Sequence, residues 1–389
     1  MKKIKSIFLN LFTIIFSLFF ILYLLEIFIF LHKNNYVLSG VIKLNTFNYD
    51  KKSRVQILKE KRKINSEIIL SIYPFNFLNE KNQIIFPLSS KSLNETIFCN
   101  ENGYYSIYKS DRYGFNNNDM MWDADKIDYI LLGDSFGQGQ CVFREDNIAS
   151  NLQKIKNKNV LNLSQSGNGP IIQYATLKEY TKKIKFENLI WLYFEDNDLS
   201  DLKLEKENNI LNNYFVNELF TQDLIYKQKQ IDRKILNYHN EKIGFDGVNI
   251  KENYNPSYFL RFIKLFTLRE FLKNTFINLK KKHTNYSREI SEFEQILIKT
   301  KNICPEEICK IYFVYLPTYA RYNNPNNYVH HFDEIKKIVN KNNINFIDIP
   351  KKIQQNIKNP LSIFPFGFSG HYNVYGYKKI SEFIAEEIN

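Results

Sequence analysis

The sequence predicts an α/β fold with a parallel β-sheet, preceded by a transmembrane helix and interrupted by a helical insertion. Three observations predict it. From about residue 125, short apolar runs alternate with amphipathic stretches, which is typical of strands and helices in a parallel sheet. Residues 6–25 carry no charged side chain. Residues 200–304 interrupt the alternation without turn signals, which predicts a mostly helical insertion.

The first element is an N-terminal membrane anchor, predicted over residues 1–34. The apolar run continues to Leu31 and is long enough to span a bilayer. No Ala-x-Ala cleavage pattern follows it, so we expect an uncleaved helix rather than a signal peptide. The lysines at positions 2, 3 and 5 favour a cytoplasmic N-terminus and an extracytoplasmic body, periplasmic or at the cell surface. Glu26 lies near the far end of the span, where its side chain can reach the interface.

A lead-in segment, residues 35–124, separates this anchor from the alternating region. Short extended runs such as residues 68–72 stand between turns rich in Asn, Ser and Lys. This pattern predicts some β structure.

The α/β domain is predicted over residues 125–389. Ile148, Leu152 and Ile155 mark one face of a helix, and Pro170 stands at the first position of another that runs to about residue 183. A further helix is predicted over residues 332–339, and an amphipathic helix closes the chain. The predicted strands cover residues 127–132, 160–163, 189–194, 311–316 and 344–349.

The net charge of +12 comes from lysines scattered along the whole chain. Such a charge favours anionic partners, here lipid head groups or acidic polysaccharide. Nucleic acid is a poor candidate partner, because no helix-turn-helix, zinc-finger or RNA-binding signature occurs and an exported domain would lie apart from it. The oligomeric state stays open.

Four cysteines allow three disulfide pairings in an exported domain. Cys304 and Cys309 are close in sequence, and theirs is the pairing we expect first; the other two are Cys99 and Cys141. We expect no metal site, because no Cys-x-x-Cys occurs and no histidine stands near a cysteine at ligand spacing.

Reactive side chains follow three successive predicted strands. Ser135 lies in the small-residue turn 133–137 after the first strand, residues 166–170 follow the second, and residues 195–198 follow the third. His371 lies in the loop before the last helix. Because the carboxyl ends of parallel strands meet at one edge of a sheet, we expect a site there. Acyl transfer to a serine needs a base and oxyanion donors, which an imidazole, a glycine N–H and an asparagine amide can supply.

This set resembles the SGNH, or GDSL-type, hydrolase superfamily, which is named after the Ser, Gly, Asn and His of four short sequence blocks. The blocks are matched in order over residues 125–389, with the insertion excluded, by Ser135, Gly167, Asn197 and His371. The resemblance implies a flavodoxin-like three-layer α/β/α sandwich and ester hydrolysis or acyl transfer without a metal or an organic cofactor. It also implies that Ser135 is the nucleophile and His371 the general base. The oxyanion hole would comprise the backbone N–H groups of Ser135 and Gly167 and the side chain of Asn197.

Two positions depart from the superfamily pattern. An aspartate is usual three residues before the histidine, and here Phe368 stands there; glycine is common before Asn197, and here Asp196 stands there. Without the usual acid, the site is either a Ser–His dyad oriented by a backbone carbonyl or it borrows an acid from elsewhere. Asp348, Glu195 and Asp198 are examples of carboxylates that could be borrowed, and a third interpretation of the missing acid is a poor enzyme.

These inferences predict a membrane-anchored serine esterase or acyltransferase for acyl esters, acetyl among them, of cell-envelope carbohydrate or lipid. The sequence does not distinguish hydrolysis from transfer. Two alternatives stay open. The Gly-x-Ser-x-Gly spacing also fits the nucleophile elbow of α/β-hydrolases, although that elbow follows several earlier strands. Phe368 would also suit a non-catalytic envelope protein that keeps the pocket for glycan binding or assembly.

Overall fold

The computed structural model describes residues 2–45, 49–243, 262–273, 285–325, 328 and 330–388, and within residues 2–6 and 32–45 it describes the backbone only. The chain divides into two compact units. The anchor unit comprises Met1–Tyr49 and Ile250–Asn285, and the main unit comprises Asp50–Asn249 and Tyr286–Asn389.

The anchor unit contains helix α1, Lys2–Asn45. Its stretch Ile7–Leu31 has 25 residues, of which almost all have exposed side chains. At the rise of an α-helix this stretch is about 37 Å long, which is enough to cross the apolar core of a bilayer. A shorter helical segment, residues 266–273, belongs to the same unit. The prediction of an apolar N-terminal helix of membrane-spanning length is therefore confirmed.

The main unit begins with helix α2, Arg54–Arg62, and a small three-stranded sheet. Its strands are β1, Ile69–Leu70; β2, Glu95–Ile97; and β3, Ile107–Lys109. Strand β1 pairs parallel with β2, and β2 pairs antiparallel with β3. Within residues 35–124, the structure therefore has these short strands as well as α2 and the last residues of α1.

A five-stranded parallel sheet forms the centre of the main unit. Its strands are β4, Ile127–Leu132; β5, Val160–Asn162; β6, Phe186–Phe194; β7, Lys310–Leu316; and β8, Asn345–Asp348. The order is β5-β4-β6-β7-β8, and every neighbouring pair is parallel. This is the 2-1-3-4-5 order of flavodoxin-like doubly wound sheets, in which ligands bind at the carboxyl edge.

Helices cover both faces of this sheet, and side chains alternate between two cores. On β6, Trp191 and Tyr193 point into one core, whereas Ile190 and Leu192 point into the other. The helices of the main unit after α2 are α3, Ser135–Gln138; α4, Ile148–Lys156; α5, Pro170–Tyr180; α6, Asp198–Lys206; α7, Asn209–Val216; α8, Gln228–Lys242; α9, Ser287–Ile303; α10, Tyr319–Asn323; α11, Phe332–Lys341; α12, Ile349–Asn356; and α13, Val374–Glu387.

Helices α5, α6, α9 and α11 pack on the first core, and α4, α12 and α13 pack on the second. The predicted three-layer α/β/α arrangement is therefore confirmed. Helices α6 to α9, and the helical segment 266–273 of the anchor unit, lie in the described part of the predicted insertion, which is helical as expected.

Both disulfides lie in the main unit. Cys304 pairs with Cys309 between α9 and β7, as predicted. Cys99 pairs with Cys141, which links the loop after β2 to the loop after α3. The second bond therefore joins the lead-in segment covalently to the α/β domain.

Candidate active site

Ser135 lies directly after β4, at the first position of helix α3. The turn before it requires a small residue, because a Cβ at Gly133 would lie 3.0 Å from the Cβ of Leu192. Asp134 caps the helix, since its Oδ1 accepts a hydrogen bond from the backbone N–H of Phe136 at 2.9 Å. Strand and cap together fix Ser135 at the carboxyl edge of the sheet, where it is 8% exposed.

His371 lies in the loop before α13 and contacts the serine directly. Its Nε2 is 2.9 Å from Ser135 Oγ. The loop is held on both sides of the imidazole: the hydroxyl of Tyr372 donates to the carbonyl of Pro317 at 2.7 Å, and the side chain of Asn373 caps α13. The sheet and this loop thus bring together two residues that are 236 positions apart.

The other imidazole nitrogen contacts Glu101, in the loop that joins β2 to β3. Nδ1 of His371 is 3.0 Å from Oε1 and 3.2 Å from Oε2 of this glutamate, and the backbone N–H of His371 donates to Oε2 at 2.6 Å. A carboxylate at Nδ1 keeps the imidazole proton on that nitrogen, so Nε2 is left to accept the hydroxyl proton of Ser135.

The contact with His371 also sets the charge of Glu101. Burial by itself would raise the pKa of this carboxyl group, but the hydrogen bonds from His371 and the charge of its imidazole together hold the pKa below its usual value. Glu101 is therefore an anion at neutral pH, as the orienting partner of an imidazole must be.

The three carboxylates that the sequence offered as partners of the histidine have other contacts. Glu195 pairs with Arg321, and Asp348 caps the first turn of α12. Asp198 accepts a hydrogen bond from the backbone N–H of Phe194 at 3.1 Å. The carboxylate in contact with Nδ1 of His371 is therefore none of these three but that of Glu101, from the lead-in segment.

Glu101 stands 270 residues before His371, and strand-end reasoning does not point to it. One signal could have found it. Cys141 lies six residues after Ser135, and Glu101 lies two residues after Cys99. A Cys99–Cys141 disulfide therefore places this glutamate near the serine, and that is the pairing left once Cys304 and Cys309 are joined.

Gly167 and Asn197 follow the two strands that flank β4. Gly167 has a φ of +73°, and a Cβ there would lie 2.8 Å from the Cβ of Phe75, so glycine suits both the backbone and the space. Asn197 precedes α6, and its Nδ2 donates to Asp201 Oδ2 at 2.7 Å. Both residues lie in loops at the same edge of the sheet as Ser135. Among the four residues predicted for the site, Ser135 and His371 are the pair in direct contact.

A second acceptor lies near the serine hydroxyl, at a greater distance. Asp134 Oδ2 is 3.5 Å from Ser135 Oγ, against 2.9 Å for His371 Nε2. Burial raises the pKa of Asp134, and burial together with repulsion from Asp134 and Asp201 raises the pKa of Asp198. Of the two acceptors, the imidazole nitrogen is therefore the closer one to the serine hydroxyl.

One group of side chains with metal-ligand atoms was found in the described part of the chain. It consists of Glu101, Cys141 and His371, whose ligand atoms lie within 4.8 Å of one another. The sulfur of Cys141 is bonded to that of Cys99, and both imidazole nitrogens contact protein atoms. Because the sulfur is in a disulfide and both imidazole nitrogens contact other side chains, the arrangement favours proton transfer over metal binding.

Comparisons with known proteins add little to this geometry. No protein-family profile matches the chain, and no curated protein matches it. Among solved structures, the chain is similar to a protein from Desulfitobacterium hafniense DCB-2 that is assigned to the G-D-S-L family of lipolytic proteins. The two chains are 11% identical, the match covers 68% of this chain and 100% of the other, and the TM-score is 0.32.

Proposed function

We propose that this protein is a serine-dependent esterase or acyltransferase in which Ser135 is the nucleophile, His371 the general base and Glu101 the acid that orients the imidazole. The observation that supports this most is one continuous chain of contacts. Ser135 Oγ is 2.9 Å from Nε2, and Nδ1 is 3.0 Å from the carboxylate of Glu101. A nucleophile, a base touching it and an acid on the far side of the base are what acyl transfer through serine requires.

In the first half-reaction, Ser135 Oγ attacks the ester carbonyl carbon while its proton passes to Nε2 of His371. The carboxylate of Glu101 stabilises the imidazolium that forms. The tetrahedral intermediate then collapses: the bond to the leaving alcohol breaks, that alcohol takes the proton from Nε2, and the acyl group stays on the serine.

The negative oxygen of the intermediate needs donors that are already in place. We assign this role to the backbone N–H groups of Ser135 and Gly167 and to the side-chain amide of Asn197. One amide proton of Asn197 goes to Asp201, so the second is the one assigned to the oxyanion. The sheet order and the contact between Ser135 and His371 support membership of the SGNH superfamily, with the acid supplied from Glu101 rather than from position 368.

For substrates we propose acyl esters, acetyl among them, of cell-envelope carbohydrate or lipid. The apolar helix Ile7–Leu31 supports a membrane-anchored protein. The pairing of all four cysteines in disulfides supports a main unit outside the cytoplasm, where such bonds persist. Water or a second hydroxyl group can take the acyl group from the serine, and this choice separates hydrolysis from transfer.

The proposal is tested by labelling the purified full-length protein with a fluorophosphonate. We expect Ser135→Ala to abolish labelling and to lower the turnover of a p-nitrophenyl ester by about 10⁴-fold or more. Ser150→Ala, on α4, serves as the matched control and should leave both unchanged. A folded wild-type protein that neither labels nor turns over esters would overturn the proposal.

A second measurement separates the two reactions. Given an acetyl ester and a glycan acceptor, an esterase releases acetate, whereas an acyltransferase yields an acetylated glycan. Phe368 suggests a non-catalytic protein, whereas the contact between Glu101 and His371 supports the catalytic proposal.

A further inference from the structure

We propose that residues 262–273 form a second membrane contact, an interfacial helix that packs on α1 and embeds its apolar face in the lipid bilayer. This rests on the membrane-anchored α1 of the proposed function. The observation behind it is a buried carboxylate on an otherwise exposed apolar helix. Glu26 is the single charged residue of Ile7–Leu31, and it is 2% exposed.

Glu26 is buried because the second segment covers it. Its Oε1 accepts a hydrogen bond from the backbone N–H of Thr267 at 2.9 Å, and its Oε2 accepts one from that of Leu268 at 2.6 Å. These N–H groups lie in the first turn of the helical segment 266–273, where no partner within the helix is available to them. The carboxylate, costly in an apolar layer, thus meets two donors and the positive end of a helix dipole.

A second contact holds the same segment on α1. The hydroxyl of Tyr23 donates to the carbonyl of Ile263 at 3.0 Å, and the ring of Tyr23 lies 5.2 Å from that of Phe262. Tyr23 and Glu26 are three residues apart, so they share one face of α1. Three hydrogen bonds and one ring contact therefore position the segment along a single face of the anchor helix.

The helical segment 266–273 has one apolar face, which carries Leu268, Phe271 and Leu272 at positions i, i+3 and i+4. The charged residues Arg269, Glu270 and Lys273 lie away from that face, and Phe266 lies among them. Leu268 is buried, whereas Phe271 and Leu272 are each 52% exposed. An apolar face with mainly basic charged residues away from it is typical of helices that lie in the boundary between head groups and acyl chains.

Lipid is the occupant that fits this surface best. The exposed side chains of Phe262, Ile263 and Phe266 add to the apolar surface of the same unit, in which α1 itself exposes Phe28 and Leu31. The basic residues Lys264, Arg269 and Lys273 outnumber the one acidic residue of the segment, Glu270, and this positive balance suits anionic head groups. One bilayer would cover both apolar surfaces at once and leave the charges at its boundary.

The test is the depth of a nitroxide label in the full-length protein, reconstituted in vesicles of phosphatidylethanolamine and phosphatidylglycerol. All four native cysteines are in disulfides, so a single new cysteine carries the only thiol. Labels at Leu272→Cys, Phe16→Cys on the span, and Ile84→Cys, 98% exposed in the main unit, are compared. Collision with oxygen reports lipid, and collision with a nickel chelate reports water.

We expect the label at position 272 to favour oxygen, as at position 16, and the label at position 84 to favour the nickel chelate. A label at 272 that behaves like the one at 84, with position 16 in lipid, would overturn this inference and leave the anchor standing. A label at 16 in water would overturn both.

Glu26→Leu tests the packing on α1. This change keeps the span apolar but removes the acceptors for Thr267 and Leu268, so we expect the ratio of lipid-bound to water-exposed label at position 272 to fall roughly fivefold, the order of losing a helix cap. Asn10→Leu, also a polar residue of the span changed to leucine, is the matched control and should leave the ratio unchanged. An unchanged ratio in Glu26→Leu would contradict the packing.

Discussion

The main unit supplies the three residues of the candidate site from two regions that are built differently. The five-stranded sheet region positions Ser135 after β4 and His371 before α13, whereas the three-stranded sheet presents Glu101 in the loop between β2 and β3. In the first region, strand order determines which loops meet at the carboxyl edge. In the second region the strands have only two or three residues, so strand pairing alone does not fix the position of the loop that carries Glu101.

Covalent and polar contacts hold the second region instead. Cys99 is bonded to Cys141, and the side-chain amide of Asn102 donates to the carbonyl of Cys141 at 2.9 Å. The side-chain amide of Asn100 donates to the carbonyl of Asp50 at 2.6 Å. Glu101 thus stands between two tethered asparagines. A loop fixed by a disulfide thus brings Glu101 to the candidate site at the edge of the five-stranded sheet.

The largest effect within this comparison is expected for Glu101→Gln. A glutamine can present its amide to Nδ1 and so favour the wrong imidazole tautomer, and we expect kcat for the ester to fall about 10³-fold. Glu95→Gln, on β2 of the same small sheet, is the control and should keep kcat. If Glu101→Gln retained wild-type kcat, the five-stranded region alone would be sufficient, as a Ser–His dyad.

The two disulfides offer the next test, since one joins the two regions and the other does not. Loops of 42 and 5 residues are closed by Cys99–Cys141 and Cys304–Cys309. Loop-closure entropy predicts that replacing each pair by serine lowers the free energy of unfolding by about 4 and about 2 kcal/mol, respectively. Urea denaturation measures both values.

The two variants that each lack one disulfide should also differ in kcat. We expect kcat to fall on the order of tenfold without Cys99–Cys141, because the loop of Glu101 is loosened, and to stay unchanged without Cys304–Cys309. Equal effects on kcat would show that the first bond does not position the acid.

A smaller effect is expected from Gly370→Ala, beside the histidine. A Cβ at this position would lie 2.7 Å from Oε2 of Glu101, which is closer than such atoms can approach, so the carboxylate must shift. We expect kcat to fall about fivefold with KM unchanged, because the imidazole loses its best orientation. Gly367→Ala is the comparison: no atom lies within 4 Å of its Cβ, but its φ of +74° is strained for alanine, so stability should fall and kcat should not.

The smallest effect concerns stability against pH. The contact with His371 lowers the pKa of Glu101 in the folded state, below the unfolded value of about 4.3. It therefore stabilises the protein above that value, and the contribution is lost as the pH falls through the folded-state pKa. The difference in unfolding free energy between wild type and Glu101→Gln should be greatest above about pH 5 and should shrink in acid. A constant difference from pH 7 to pH 3 would contradict the lowered pKa.

The sequence by itself determined the main sheet. Its strands are short, continuous apolar runs because both faces of a parallel sheet are buried, and such runs are visible without any partner. The predicted strand 127–132 coincides with β4, and the apolar span with part of α1. The positions of Ser135 and His371 relative to these elements were also predicted, because Ser135 follows a predicted strand and His371 precedes a predicted helix.

Only the tertiary structure determined which hydrogen-bond partners the carboxylates of Glu101 and Glu26 have. Glu101 meets His371 across 270 residues, and Glu26 meets Thr267 across 241. Such pairs leave no periodic signal, because a carboxylate needs donors and low solvent exposure rather than a particular spacing along the chain. The sequence showed only that Glu101 lies in a loop and that Glu26 is an isolated charge in an apolar run. The folded structure supplies the donors and the low solvent exposure.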